Sequence, residues 1–327
     1  MAHVLLLSTA SRPRDFYFDE CARITRSVAR DRFKVHLTTD DPEAADVIIL
    51  FEPDDTLLAN DVRHHPYAKG YPDKTFVFDP SDRIVPFLPG VYASVRRHQY
   101  DPGRVRAGFF PVVFDHDWIV CDDQAAPRLL FSFMGDMRGI PVREAIGRIT
   151  HPRAIIRDTG DDPANADGGD AAFYEPFHHE FAAVMADSAF VLCPAGAGAS
   201  TFRLFETMKA GRVPVILSDQ WVPPEGPDWP ACSLVVPERE AALIPRLLES
   251  REAEAAGMGR AAREQWEQWF SEPVAFHRIV EWCLSIQRSR RRPERLMRAV
   301  VMTQLLEPYN FRYKLIPALR RLVRARS

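Results

Sequence analysis

Short, almost uninterrupted apolar runs recur along this chain, and they limit its fold more than any other feature. Four of them lie at residues 4–7, 47–51, 75–78 and 190–193, and segments typical of helices separate them. Strands that are apolar on both faces belong to parallel sheets that helices cover on either side. The pattern therefore predicts α/β domains with doubly wound parallel sheets.

The same pattern begins again after a polar segment, which predicts two such domains. Residues 121–127 carry two aspartates and end in proline, a composition typical of linkers. We predict a first Rossmann-like domain over residues 1–124, a second over 125–287 and a basic helical tail over 288–327. Ligands of such sheets bind beyond the carboxyl ends of the strands, so we expect the site in the cleft between the domains.

The distribution of charge restricts the partners. The net charge is −3, but residues 288–327 carry twelve cations against two carboxylates, so the rest of the chain is acidic. We expect no nucleic acid as a partner. In the tail a helix should begin near Pro293, and the tail either packs against the first domain or contacts an anionic membrane.

The sequence also indicates where the protein is located. No apolar run approaches the ~20 residues of a membrane span. The chain starts without the basic region of a signal peptide, and its five cysteines are scattered, so the expected location is the cytoplasm.

The segment 190–229 carries most of the chemical information. A buried strand leads into the small-residue loop 194–199, and Ser200 is the expected N-cap of the next helix. Backbone N–H groups at such a helix start can bind an anion. Arg203 stands in the first turn, where the helix dipole disfavours a cation unless an anion binds there too, and Glu206 follows on the same side. The residues alone leave open either a phosphate site or a surface ion pair beside an ordinary turn.

This segment resembles the conserved block of the exostosin family of glycosyltransferases. In that family a strand ends in cysteine and proline, and a glycine loop, Ser-x-x-Arg-x-x-Glu, Val-Pro-Val and a loop with tryptophan follow. Residues 128–138 are similar to a second block of the family, a strand followed by glycine and arginine, and the first domain shows only weak resemblance. The matching positions are Cys193, Pro194, Gly196, Ser200, Arg203, Glu206, Ala210, Gly211, Val213, Pro214, Val215 and Trp229, with Gly135, Arg138 and Arg143 upstream.

The resemblance implies both a function and a set of site residues. It implies a GT-B glycosyltransferase architecture, inversion at the anomeric carbon, and a nucleotide-sugar donor, expected to be a UDP-sugar, that the second domain binds. The arginines would surround the diphosphate, for which a guanidinium group is well matched. The acceptor would be a glycan or a lipid-linked glycoconjugate, no cofactor is obligatory, and a divalent cation is compatible with the chemistry. The donor-binding residues would be Gly135, Arg138, Arg143, Gly196, Ser200, Arg203 and Glu206.

Inverting transfer requires a base that deprotonates the acceptor hydroxyl. Asp82 is the first candidate and Asp79 the second because both follow the end of a strand, although aspartates there also cap turns. His36 is interpreted as a packing histidine. The adjacent histidines at 64–65 and 178–179 diverge from one another, so no metal site is expected. Two other functions stay open, a non-hydrolysing sugar-nucleotide epimerase and a non-catalytic nucleotide-sugar-binding protein.

Overall fold

The computed structural model describes most of the chain, and its division differs from the predicted one. One compact unit comprises Met1–Val112 with Glu272–Ser327, and the other comprises Val113–Ser271. The first border therefore precedes the polar segment 121–127, and the final helices belong to the first unit instead of forming a separate tail from residue 288. The described residues are 1–9, 19–51, 61–122, 126–162 and 171–301, together with 303 and 311.

The first unit contains a parallel sheet. Its strands are β1 (His3–Ser8), β2 (Leu37–Thr38), β3 (Val47–Phe51), β4 (Thr75–Asp79), β5 (Gly90–Tyr92) and β6 (Val105–Ala107). In the described residues they lie in the order β2-β1-β3-β4-β5-β6, and each neighbouring pair is parallel. Every residue of β3 and β4 is buried, which explains why these strands are apolar without alternation.

The second unit contains another parallel sheet. Its strands are β7 (Leu129–Gly135), β8 (Ala154–Asp158), β9 (Ser188–Pro194), β10 (Val213–Leu217) and β11 (Leu234–Val235). They lie in the order β11-β10-β9-β7-β8, and all of the paired strands run parallel. The chain adds β8 on one side of β7 and then β9 to β11 on the other. Ligands of doubly wound sheets bind at such a switch point, which here lies between β7 and β9.

Helices connect the strands and cover the sheets. The α-helices are α1 (Glu20–Arg30), α2 (Asp61–His64), α3 (Pro66–Gly70), α4 (Pro141–Ile146), α5 (Ala171–Ala186), α6 (Phe202–Lys209), α7 (Trp229–Cys232), α8 (Ile244–Arg251), α9 (Ala255–Trp269), α10 (Glu272–Ser289) and α11 (Glu294–Val301). No helix in the described part of the chain is both long and apolar enough to span a membrane. The predicted class, two Rossmann-like α/β domains with parallel sheets, is confirmed.

The long helix α10 returns to the first unit because its buried face has its partner there. The carboxylate of Glu272 pairs with Arg26 and Arg30 of α1, at 2.8 Å from Nε of Arg26. Oγ of Ser27 donates to the carbonyl of Glu272 and accepts from the N–H of Phe276 at 2.9 Å. These contacts join the start of α10 to α1, a pairing that no local sequence pattern reveals.

The helix α11 begins at Glu294, next to the predicted start near Pro293. The carboxylate of Glu294 is fully buried and accepts from Nε and a terminal nitrogen of Arg104 at 3.1 and 2.6 Å. Arg290 pairs with Asp73 at 3.1 Å. The beginning of the basic segment therefore packs against the first unit, while residues 304–310 and 312–327 lie outside the described residues.

Candidate functional site

Two glycines at the switch point of the second sheet allow arginine side chains to approach the backbone. Gly135 ends β7, and a Cβ atom on it would lie 3.2 Å from a terminal nitrogen of Arg203. Gly196 follows β9, and a Cβ atom there would lie 2.6 Å from a terminal nitrogen of Arg143. A Cβ atom at either position would make the arginine side chain shift. The structure thus brings together four of the predicted donor-binding residues at the place where the topology predicts a ligand.

Arg203 is a buried cation in the first turn of α6. Its guanidinium carbon lies 5.1 Å from the ring centres of both Phe133 and Phe181. Within the described residues no carboxylate pairs with it, and its Nε is enclosed without a hydrogen-bond partner. Burial lowers the pKa of the Arg203 guanidinium, and the charge of Glu206 opposes this shift. Because a buried charge is costly without a counter-ion, this arrangement is suited to an anionic ligand.

Glu206 is also buried, so the interpretation of Arg203 and Glu206 as a surface ion pair is wrong. Only 2% of Glu206 is exposed, and its Oε1 lies 2.6 Å from Nδ1 of His116. Its Oε2 and the Nε2 of His116 are enclosed, and neither has a hydrogen-bond partner in the part of the chain that is described. Arg203 and Glu206 are both buried because α6 packs between the sheet and α9.

The N-cap of α6 is Thr201, and not Ser200 as the sequence predicted. Thr201 has the extended backbone that a cap requires, and its hydroxyl accepts from the N–H of Arg203 at 3.4 Å. Ser200 precedes the cap, and its side chain is buried at the end of the small-residue loop. The helix begins one residue later than predicted because serine and threonine are equally suitable in sequence, and the backbone decides between them.

The two arginines upstream occupy different places. Nε of Arg143 donates to the carbonyl of Ala195, and a terminal nitrogen donates to that of Asp136, both at 2.9 Å. Arg143 therefore joins the ends of β7 and β9. The Arg138 side chain is 59% exposed and pairs with Asp136 and Asp161 at 3.0 Å. Arg138 thus lies toward the end of β8, on the outer side of the switch point.

The sequence analysis missed a stack of aromatic rings beside Glu206. The rings of His116 and Trp118 stack with centres 4.7 Å apart, and those of Trp118 and His178 with centres 4.3 Å apart. Nε1 of Trp118 is enclosed and has no hydrogen-bond partner among the residues described. Burial lowers the pKa of His178, and His116 acts in the same direction. The sequence indicated this stack only weakly, because His116 and Trp118 stand two positions apart just before the second sheet.

The candidate bases lie in the first unit. Oδ1 of Asp79 accepts from the N–H and the hydroxyl of Ser81 at 2.9 and 2.6 Å, so Asp79 caps a turn. Asp82 is exposed in the loop that follows β4. Its role as the base stays a prediction.

Comparisons with known proteins agree with the resemblance. Residues 110–251 match the exostosin GT47 domain family. The exostosin-1 homolog of Caenorhabditis elegans is 44% identical over 73 residues, which are 22% of this chain and 19% of that protein. Exostosin-1 of Drosophila melanogaster is 29% identical over 103 residues, or 30% of this chain and 14% of that protein. The matches therefore span less than a fifth of these relatives.

A solved structure described as an α1,3-fucosyltransferase is a more distant neighbour. It has a TM-score of 0.42 and 11% identity, covering 88% of this chain and 90% of that chain. The family match, by contrast, includes every residue of the switch-point site, from His116 and Gly135 to Arg203 and Glu206. The match to the exostosin GT47 domain thus covers residues 110–251, less than half of the chain, and lies almost wholly in the second unit.

Proposed function

We propose that this protein is a glycosyltransferase and that its second unit binds a nucleotide-sugar donor. The observation that carries the proposal is the buried cation of Arg203 beside Gly135, which pairs with no carboxylate among the residues described, at the switch point of a parallel sheet within an exostosin domain. A diphosphate is the anion of a nucleotide sugar, and Arg203 is the residue to neutralise it. As the nucleotide leaves, its charge grows, so the same contact would stabilise the transition state.

The neighbouring groups support the same placement of the donor. The small-residue loop 194–199 precedes the start of α6, where backbone N–H groups favour a phosphate. Glu206 has one oxygen held by His116, and the other is left to accept a hydrogen bond. A ribose hydroxyl is a suitable donor for that bond. Glu206 would therefore orient the nucleoside while Arg203 holds its phosphates.

The proposal extends to the reaction. The acceptor hydroxyl attacks the anomeric carbon on the face opposite the nucleoside diphosphate, the bond to the leaving group breaks, and the configuration inverts. Asp82 is the proposed base that takes the hydroxyl proton. We propose a UDP-sugar as the donor and a glycan or a lipid-linked glycoconjugate as the acceptor. The proposed location is cytoplasmic, with peripheral contact between the basic tail and a membrane, and no cofactor is obligatory.

Thermal unfolding of the full chain with UDP-, GDP-, CMP- and dTDP-sugars tests the donor site. A donor at 100 times its Kd should stabilise the fold by about 2.7 kcal/mol. Arg203→Ala should abolish this shift and cost about 2–4 kcal/mol of transition-state stabilisation. The matched control is Arg239→Ala, an arginine whose side chain is 83% exposed and pairs only with Glu240 among the described residues.

The control should bind the donor as the unsubstituted protein does. The proposal fails if no nucleotide sugar shifts the transition, or if the shift persists in Arg203→Ala. Consumption of the bound donor without any acceptor would instead favour an epimerase.

A further inference from the structure

A second cluster of polar side chains lies in the first unit, and the proposed reaction does not use it. His36 lies just before β2, and His277 and Glu281 lie one helical turn apart on α10. One nitrogen or oxygen atom from each residue lies within 4.8 Å of those from the other two. Nε2 of His36 is 3.1 Å from Oε1 of Glu281, and the ring centres of the histidines are 5.0 Å apart.

The protein does not satisfy the hydrogen-bonding groups of this cluster. The His36 side chain is fully buried, its Nδ1 has no hydrogen-bond partner among the described residues, and its Nε2 has only the 3.1 Å contact with Glu281. Nδ1 of His277 is enclosed in the same way. Buried polar side chains normally have partners, and an ion bound to one nitrogen of each ring would provide such a partner to both histidines.

Burial favours the neutral form of both imidazoles, while the nearby charges act in both directions. Burial lowers the pKa of both His36 and His277, and Glu281 opposes these shifts. The amino terminus lowers the pKa of His36 and Arg278 lowers that of His277, whereas Asp31 raises both. A neutral imidazole is the form that binds a metal ion.

Packing contacts fix the rings, whereas the carboxylate has room to move. The ring of Phe33 stacks on His277 with centres 4.0 Å apart, and the ring of Phe276 meets His36 edge-on at 6.3 Å. The Glu281 side chain is 39% exposed, and its Oε2 lies 3.7 Å from a terminal nitrogen of Arg288. The Glu281 side chain can therefore change its position, and the cluster is accessible to solvent on its side.

We propose that His36, His277 and Glu281 form a binding site for a divalent transition-metal ion such as Zn²⁺. Two imidazoles and a carboxylate are a donor set that Zn²⁺ accepts, with a water as the fourth ligand. Ligand atoms about 2.0–2.1 Å from an ion lie closer together than 4.8 Å. Binding therefore requires a small approach of the ligand atoms, to which Glu281 can contribute because its side chain is partly exposed.

A metal ion at this place would join the segment before β2 to α10. It would link the amino-terminal sheet to the helix that brings the chain back to the first unit, so its expected effect is on stability. The sequence alone predicted a packing histidine at 36 and no metal site, because His36 is 241 residues away from its partner His277. The site shares no residue with the donor site, and the two proposals stand or fall separately.

The full chain, freed of metals with a chelator, should be titrated with Zn²⁺ and separately with Co²⁺. We expect one ion per chain, a visible Co²⁺ spectrum typical of nitrogen and oxygen ligands, and an unfolding midpoint that rises with the Zn²⁺ concentration. His277→Gln and Glu281→Gln should each weaken binding at least tenfold. The matched control is His151→Gln, since Nε2 of His151 also lies 3.2 Å from a glutamate oxygen, on Glu249, but lacks a second histidine.

The control should bind Zn²⁺ with unchanged affinity. The metal site is refuted if neither ion binds saturably, or if stoichiometric binding survives both substitutions. Strong near-ultraviolet absorption of a cobalt–thiolate bond would also refute it, because Cys21 and Cys121 are the half-buried thiols that could compete. If His277→Gln does not fold, Glu281→Gln still provides the test, because the Glu281 side chain is partly exposed.

Discussion

At the scale of the residue, the site depends on glycines, which leave room for side chains, as much as on its charged residues. Arg143 lies over Gly196, where a Cβ atom would be only 2.6 Å away from its guanidinium group. Gly196→Ala should therefore displace the end of Arg143 and weaken donor binding about tenfold, an effect of about 1.4 kcal/mol. Calorimetric titration with the donor measures this change.

The matched control for Gly196→Ala is Gly257→Ala in α9. A Cβ atom on Gly257 meets nothing within 4 Å, and alanine there also favours the helix. Donor affinity should be unchanged and stability slightly higher. Equal donor affinity in both variants would show that the position of Arg143 does not matter for the donor.

Glu206 provides a second residue-scale prediction. If its Oε2 accepts a bond from a ribose hydroxyl, Glu206→Gln should weaken donor binding by about 1.5–3 kcal/mol, the range for a hydrogen bond to a charged group. A 2′-deoxy or 3′-deoxy nucleotide should lose a similar amount with the unsubstituted protein but little more with Glu206→Gln. If the losses of affinity from Glu206→Gln and from the missing hydroxyl are additive, the ribose does not contact Glu206. The exposed Glu249→Gln serves as the control.

The sequence predicted part of this site because part of it is local. Arg203 and Glu206 belong to one short helix and one contiguous motif, so their common place could be foreseen. His116 could not be foreseen, since its bond to Glu206 joins residues 90 positions apart. The difference between Ser200 and Thr201 as the cap likewise depends on backbone angles that the residue types do not determine.

At the scale of the element, the buried ion pair between Glu294 of α11 and Arg104, just before β6, allows the clearest test. Arg104 and Glu294 are enclosed and bidentate, so Glu294→Gln would leave the arginine as a buried charge without its counter-ion. We expect a loss of about 3–5 kcal/mol in the free energy of unfolding. Urea denaturation of the full chain measures it.

An equivalent pair at the surface provides the control. Arg153 and Glu252 are also bidentate, at 2.6 and 2.7 Å, but both side chains are nearly half exposed. Glu252→Gln should change the stability by about 0–1 kcal/mol, because water screens the pair. Similar losses in the two variants would mean that burial of Glu294 has little effect on the stability of α11.

Elements that are buried on both sides were predictable, and elements that depend on distant partners were not. The runs that form β3, β4 and β9 are apolar at nearly every position, and a parallel sheet is the structure that buries them. The association of α10 with α1 depends on Glu272, whose arginine partners lie 242 and 246 residues away. No pattern within α10 could have assigned it to the first unit.

At the scale of the whole molecule, the charge is divided between an acidic body and a basic end. Residues 304–327 carry six cations and one carboxylate, although the chain as a whole has a net charge of −3. Near an anionic leaflet each cation could add about 1 kcal/mol of attraction. Under the proposed function, such attraction would bring the protein to a lipid-linked acceptor.

We therefore expect the full chain to bind vesicles that contain phosphatidylserine at low salt and to leave them as the salt concentration rises. Deletion after Thr303 should abolish binding while the protein stays folded, because it retains the buried pair of Arg104 and Glu294. A deletion after Ser289 would remove that pair, and loss of binding would then be confounded with unfolding. Vesicles of phosphatidylcholine alone are the control for surface charge. A membrane role for the tail would be contradicted if the protein deleted after Thr303 still binds these vesicles. It would also be contradicted if the full chain does not bind them at low salt.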